Sequence, residues 1–326
     1  MPNYNGVWSL STVYQAYGDG KWPPPLSGDI GVFFHGASTD VIDYVTITAL
    51  GNTTDFGNLS ATNQGGGSAA SSNTRGVYHL EYTSTNVNIL EFVTINKPSN
   101  TTDFGDLTSA RFSGTAAVSN QTRGVYAGGY LSNYSNVMDY ITIATLGNAI
   151  DFGDLTSARD SLKGLMSSTR GVFNSGRTTS SDYNNMIDYI TIASTGNATD
   201  FGDSTRSVIG ATGSSNGVRG VYAGGYNSTV FGSTGNVTEV MEYITIASTG
   251  NATDFGDLTD EAIGAATSNA TRAVMEFQRD HASGTNTDVI NYWTIATTGN
   301  AADFGDQTSA AGAQRTACSN AHGGLQ

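Results

Sequence analysis

The stretch Tyr243-Ile244-Thr245-Ile246-Ala247-Ser248-Thr249-Gly250-Asn251-Ala252-Thr253-Asp254-Phe255-Gly256-Asp257-Leu258-Thr259 is one copy of a sentence that the chain writes six times. The copies put Phe56, Phe104, Phe152, Phe201, Phe255 and Phe304 in register, at intervals of 48, 48, 49, 54 and 49 residues. A period near 50 residues is the signature of a repeat architecture rather than of unrelated domains in series.

Each unit offers four strand candidates. In the copy that begins near Arg111 they are Gly114–Asn120, small and polar; Arg123–Tyr130; Val137–Ile143, with β-branched and aromatic residues in period-2 alternation; and a short segment around Asp151–Leu155. Four short strands per unit make the blade of a β-propeller. The first strand is small because innermost strands converge on the axis. Gly210-Ala211-Thr212-Gly213 and Gly264-Ala265-Ala266-Thr267 follow that rule, whereas Leu162, Leu165 and Met166 break it, so their blade is expected to plug the channel. Ile30-Gly31-Val32-Phe33 aligns with a second strand, and residues 311–320 with an innermost one. The expected fold is therefore all-β: a six-bladed propeller over residues 30–326, closed by strands from both ends of the chain, after an N-terminal extension over residues 1–29.

Gly128-Gly129, Tyr140, Phe152 and Arg159, with Gly224-Gly225 and Tyr243 in a later copy, resemble the kelch motif. Phe stands where that motif usually has Trp, and the Gly-Gly pair is missing after Tyr78, Phe173 and Met275. Kelch-like propellers include galactose oxidase, but its copper ligands have no counterpart here. His35, His79, His281 and His322 sit at unrelated offsets, and Cys318 is the single cysteine. No metal, cofactor or catalytic residue is expected.

The spacing from the third-strand aromatic to the outer Phe is 12 in every copy, which implies a rigid hairpin. The connection from second to third strand instead drifts: Tyr78 to Phe92 is 14, Phe173 to Tyr189 is 16, Met275 to Tyr292 is 17 and Tyr222 to Tyr243 is 21. Variation is thus confined to one face, and its loops carry Tyr82, Tyr130, Tyr134, Tyr183, Tyr226 and Phe231 among Ser, Asn and Gly. Aromatic rings amid small polar residues suit carbohydrate stacking or protein recognition; loop tyrosines packed on their own blades are the plainer alternative.

Asp-Phe-Gly in six copies cannot be a kinase activation motif, since no catalytic His-Arg-Asp accompanies it. The Asp pairs around it (Asp103 and Asp106, Asp151 and Asp154, and their equivalents) either bind calcium or cap local turns. Arg75, Arg123, Arg170, Arg219 and Arg272 repeat at one position, and Asp43, Glu91, Asp139, Asp188 and Glu242 at another, so ion pairs between the two sets are expected. The repeated Asn is expected to serve the Gly-Asn turn between third and fourth strands, where positive φ is tolerated.

The formal charge of −14 argues against nucleic acid or an anionic membrane as partner. No segment is apolar enough to span a bilayer and no signal sequence opens the chain, so a soluble, unprocessed protein without membrane insertion is expected. Before the repeats, Leu10, Val13, Tyr14 and Tyr17 follow helical spacing ahead of Pro23-Pro24-Pro25, flanked by Trp8 and Trp22, a set that either packs on the propeller or docks on a partner.

The lead-in Gly6-Val7-Trp8-Ser9-Leu10, Tyr14-Gln15-Ala16 and Lys21-Trp22-Pro23, together with the repeat text, resembles virion proteins of tailed bacteriophages, marine and cyanobacterial phages in particular. That resemblance implies a non-enzymatic structural protein, on a tail fiber or decorating a capsid, assembled in the host cytoplasm. It would be present in several copies, held to other virion proteins by the N-terminal segment, and free to meet a host-surface glycan or receptor. A free-standing carbohydrate-binding propeller is the alternative.

Overall fold

The third strand is covered on both faces: Val137–Thr142 turns Met138 toward blade 4 and Ile141 toward blade 2 and leaves Thr142 exposed, and the same burial sequence recurs at Ile89–Thr94, Met186–Thr191, Val240–Thr245 and Val289–Thr294. In the computed structural model, which describes residues 26, 28–36, 39–63, 65–85, 87–112, 114–180, 182–226, 237–280, 287–308 and 315–321, six four-stranded antiparallel sheets form. Blade 2 is Ser68–Ser71, Arg75–His79, Ile89–Thr94 and Thr102–Asp106, from the axis outward. Blades 3 to 6 begin with innermost strands Ala116–Ser119, Lys163–Met166, Thr212–Ser215 and Ala262–Ser268. Blade 1 takes its innermost strand, Arg315–Ser319, from the C-terminal side and its other three from Ile30–Asn63, so the ring closes through both ends as the sequence predicts. No helix occurs among the described residues. The docking residues Trp8, Leu10, Val13, Tyr14, Tyr17 and Trp22 lie outside them.

The repeated sentence is the joint between blades. In every blade the register between third and outer strands slips by one residue at the Phe: Met138 faces Gly153 while Asp139 faces Asp151, leaving Phe152 as the extra residue of a β-bulge, and the same slip skips Phe56, Phe104, Phe201, Phe255 and Phe304. The bulge turns each ring inward onto its own blade's third-strand aromatic, with Tyr140 and Phe152 edge to face at 6.1 Å and five equivalents. Burying each Phe stabilises the fold by about 2–3 kcal/mol. The Gly that follows has φ between +140° and +150° in all six copies, and the next blade's hairpin backbone packs against it.

Two expectations fail here. The repeated Asn does not serve its own turn: Asn197 Oδ1 accepts a hydrogen bond from the Asp154 amide of the preceding blade, and Asn52, Asn100, Asn148, Asn251 and Asn300 do likewise. The turn's positive φ belongs to the Gly before it. Nor do the two charged sets pair with each other. Arg75, Arg123, Arg170, Arg219 and Arg272 lie over their own blade's third-strand ring, at 4.2–4.6 Å from its centre. Each donates to a backbone carbonyl of the next blade, Arg123 to Ile192 at 3.1 Å for example. The acids instead accept from the Leu-Thr end of the preceding blade's sentence, as Asp139 does from Thr108 and Asp188 from Thr156, both at 2.6 Å. Asp139 and Asp188 also hold the buried Arg111 and Arg159 of the interblade links, and Glu242 holds Arg206. The Asp pairs lie along the outer strands, not at turns.

Candidate recognition face and axial core

The loops of drifting length and the links between blades emerge on one face, and short backbone bridges tie them together. Tyr130 bridges both Phe112, in the link before its blade, and Tyr134, in its own loop; Arg177 bridges Asp160; Tyr226 bridges Ile209 and Val237. This places the aromatic side chains in an arc. Tyr82 lies 6.0 Å from Phe112, Phe112 5.7 Å from Tyr130, and Tyr130 5.1 Å from Tyr134. All four are half-buried, and Leu131 beside them is 47% exposed. Beyond Tyr134 the arc meets the Arg177–Asp160 ion pair at 2.8 Å.

The expected set therefore divides. Tyr82, Tyr130 and Tyr134 share a surface, whereas Tyr183 and Tyr226 are buried with Ile209, Val237 and Ile263 in a satellite apolar cluster. For those two the plainer alternative, rings packed on the loops themselves, is what the fold adopts. Phe231 lies outside the described residues. Phe112 and Leu131 complete the patch yet escape a search for loop tyrosines, because Phe112 belongs to an interblade link. Its place next to Arg111, which opens the following unit, was the available signal.

The axis offers little room. A cavity of about 70 Å³ is lined by Ser71, Ser215, Ser268, Ser319 and their neighbours, and by Leu165 and Met166; one of about 50 Å³ lies where Lys163 and Thr115 approach the axis. Small-molecule pockets run to about 300–1,000 Å³, so the channel admits water and no sugar. Leu162 packs sideways into the blade core instead of the channel. Around the axis the serine hydroxyls run in sequence: Ser119 donates to the Ser71 carbonyl, Ser71 to Ser319, Ser319 to Ser268, Ser268 to Ser215, and Ser215 to Met166. Met166 occupies the serine position of blade 4 and has no hydroxyl to give. Cys318, buried in the same layer, has its thiol pushed up to about 12 by burial and stays protonated.

Near the second cavity, Glu81 is fully buried and accepts from the Thr115 amide at 2.9 Å, the Thr115 hydroxyl at 2.7 Å and the Gly114 amide at 3.2 Å. Thr115 Oγ1 also meets Ser68 and His79. The carboxylate is spent on backbone and hydroxyl donors, so this group joins blades 2 and 3 and is not poised to move a substrate proton. Burial lowers His79 to about 4 against the opposing pull of Glu81. The unfolded chain, whose histidine titrates near 6.5, takes up a proton first. Stability from this site is thus complete above about pH 6.5 and is lost as pH falls toward 4, by on the order of 2–3 kcal/mol. Urea midpoints at pH 7 and pH 4.5 should differ more in the wild type than in His79→Gln; equal differences would exclude this account.

One group among the described residues brings three metal-ligating side chains together: His35, Asp43 and Glu276, at the junction of blades 6 and 1. Sequence spacing left His35 without a partner because Glu276 comes from the far end of the chain.

No protein-family model matches the chain, and no curated protein does. Among solved structures the chain is similar to one described as "Structure of YjhT", with a TM-score of 0.56 and 10% identity over 70% of this chain and 81% of that one. At that identity the likeness carries the fold alone.

Proposed function

We propose that this chain is a non-enzymatic virion protein of a tailed bacteriophage: a rigid propeller displayed on tail or capsid that turns its loop face to the host surface and stacks its aromatic arc on glycan. The observation that carries the reading is the contiguous half-exposed patch of Tyr82, Phe112, Tyr130 and Tyr134 on the face where loop length varies. Attachment falls on the opposite face. Leu26, the first described residue, donates its amide to the Asn96 carbonyl in a third-to-outer-strand hairpin, and Leu50, Leu146 and Val218 are exposed on that hairpin side. Leu26 therefore meets the ring away from the loop face. The similarity of the lead-in and repeats to phage virion proteins supports the setting.

Mass spectrometry of purified virions should recover the chain in several copies per particle; particles lacking it would sink the virion assignment and leave the free-standing lectin, which uses the same arc. On a glycan array, Tyr130→Ala should weaken binding roughly tenfold. Tyr226→Ala is not a contact probe, because that ring is buried. An array without any bound glycan would remove the recognition role and favour particle reinforcement.

A further inference from the structure

We propose that His35, Asp43 and Glu276 form a divalent transition-metal site, of the zinc class, that pins the closing seam of the ring. The three side chains are 0%, 1% and 0% exposed. His35 ends the second strand of blade 1, Asp43 sits on its third strand, and Glu276 on the second strand of blade 6. His35 Nε2 lies 3.3 Å from Glu276 Oε2 and 3.9 Å from Asp43 Oδ2. Ligands about 2.0–2.2 Å from a tetrahedral zinc ion stand about 3.4 Å apart, so small adjustments of Asp43 bring the set onto one ion.

The second observation is independent of the acids. Both ring nitrogens of His35 are buried without a hydrogen-bond partner, as are Asp43 Oδ1 and Glu276 Oε1. Buried polar atoms are nearly always satisfied, and a cation at this point would engage the unpartnered His35 Nε2 together with Asp43 Oδ2 and Glu276 Oε2, the carboxylate oxygens that face it. The surrounding groups orient the acids as outer partners do at metal centres. Asp43 accepts from Thr308 at 2.7 Å and from Thr53 at 3.3 Å, and Glu276 accepts from Arg315 at 3.1 Å. Two carboxylates against the single guanidinium leave one negative charge for the ion to meet. One imidazole with two carboxylates suits zinc or manganese rather than calcium, which prefers six or more oxygens.

Only this junction carries the set. Positions equivalent to His35 in the other blades are Leu80, Gly128, Ser175, Gly224 and Phe277, and blade 1 is the sheet whose innermost and second strands come from opposite ends of the chain.

The full-length protein, stripped with a chelator and dialysed, should bind one equivalent of Zn²⁺, and its thermal midpoint should rise by about 3–5 °C at a hundredfold excess over Kd. Co²⁺ should give the intense visible absorption of a low-symmetry four- or five-coordinate site, and His35→Gln should abolish that spectrum. If His35→Gln does not fold, competition of Zn²⁺ against Co²⁺ in the wild type gives the same reading through loss of the spectrum. Wild-type protein that binds neither ion, with a midpoint indifferent to chelator, would overturn the proposal.

Discussion

Arg159→Met should lower the free energy of unfolding by about 3–5 kcal/mol. Arg159 is fully buried, and its Nη1 lies 2.8 Å from Asp188 Oδ2. Removing the guanidinium strands a carboxylate that is 1% exposed. Thr156 still donates to that carboxylate but carries no charge to neutralise it. The pair itself contributes much less than its rupture costs, because desolvating both ions offsets most of their attraction. Arg159→Met combined with Asp188→Leu should therefore recover most of the loss. Urea unfolding of the three variants provides the check, and a single-variant loss under about 1 kcal/mol would mean that water reaches the carboxylate.

The second large effect concerns the glycine of the repeated sentence. Gly153→Ala should cost about 3–4 kcal/mol, and Gly147→Ala about 1–2 kcal/mol. Both have strongly positive φ, +140° and +148°. They differ in what a Cβ would meet: at Gly153 it would fall 2.6 Å from the carbonyl carbon and oxygen of Gly196 in the next blade, while at Gly147 nothing lies within 4 Å. The Gly196 backbone cannot retreat, because its amide donates to the Phe152 carbonyl at 2.8 Å and Asn197 accepts from Asp154 beside it. Thermal melts of the two variants should separate the strain common to both from the contact peculiar to Gly153. Equal shifts would show that the joint between blades yields.

The architecture was legible because it is periodic. The constant spacing from Tyr140 to Phe152 and its five equivalents fixed the hairpin, and the small residues at Ala116 and Ala117 marked the axis. Partners across blade boundaries were illegible for the same reason. Every copy repeats Arg, acid, Asn and Thr at fixed offsets, so spacing cannot say whether Arg123 meets Asp139 in its own blade or Ile192 in the next. The acid's true cation, Arg111, stands in a link where the repeat is looser. Site residues were legible in part: loop length located the face, yet Tyr226 and Tyr130 both follow a Gly-Gly pair, and only packing against Ile209 and Val237 separates the buried ring from the half-exposed one. Glu276 stands on a β-strand where blades 3 and 5 have Ala127 and Ala223, and nothing local to it announces His35.

Each outer strand fits the hairpin of its successor through one surface meeting a different one. This is the head-to-tail association that produces rings when the rotation per unit closes and open filaments when it does not. The seam uses the same fittings as the other five junctions: Asn52 accepts from the Asp306 amide, Gly305 takes the Gly51 backbone, and Thr308 reaches Asp43. Blade number is therefore a property of the angle built into one joint and not of any terminus. A lone blade would carry a plug on one edge and a socket on the other, both open. The chain is in effect a covalently threaded homo-hexamer, and its size follows from the sixth of a turn that one bulged strand imposes on the next.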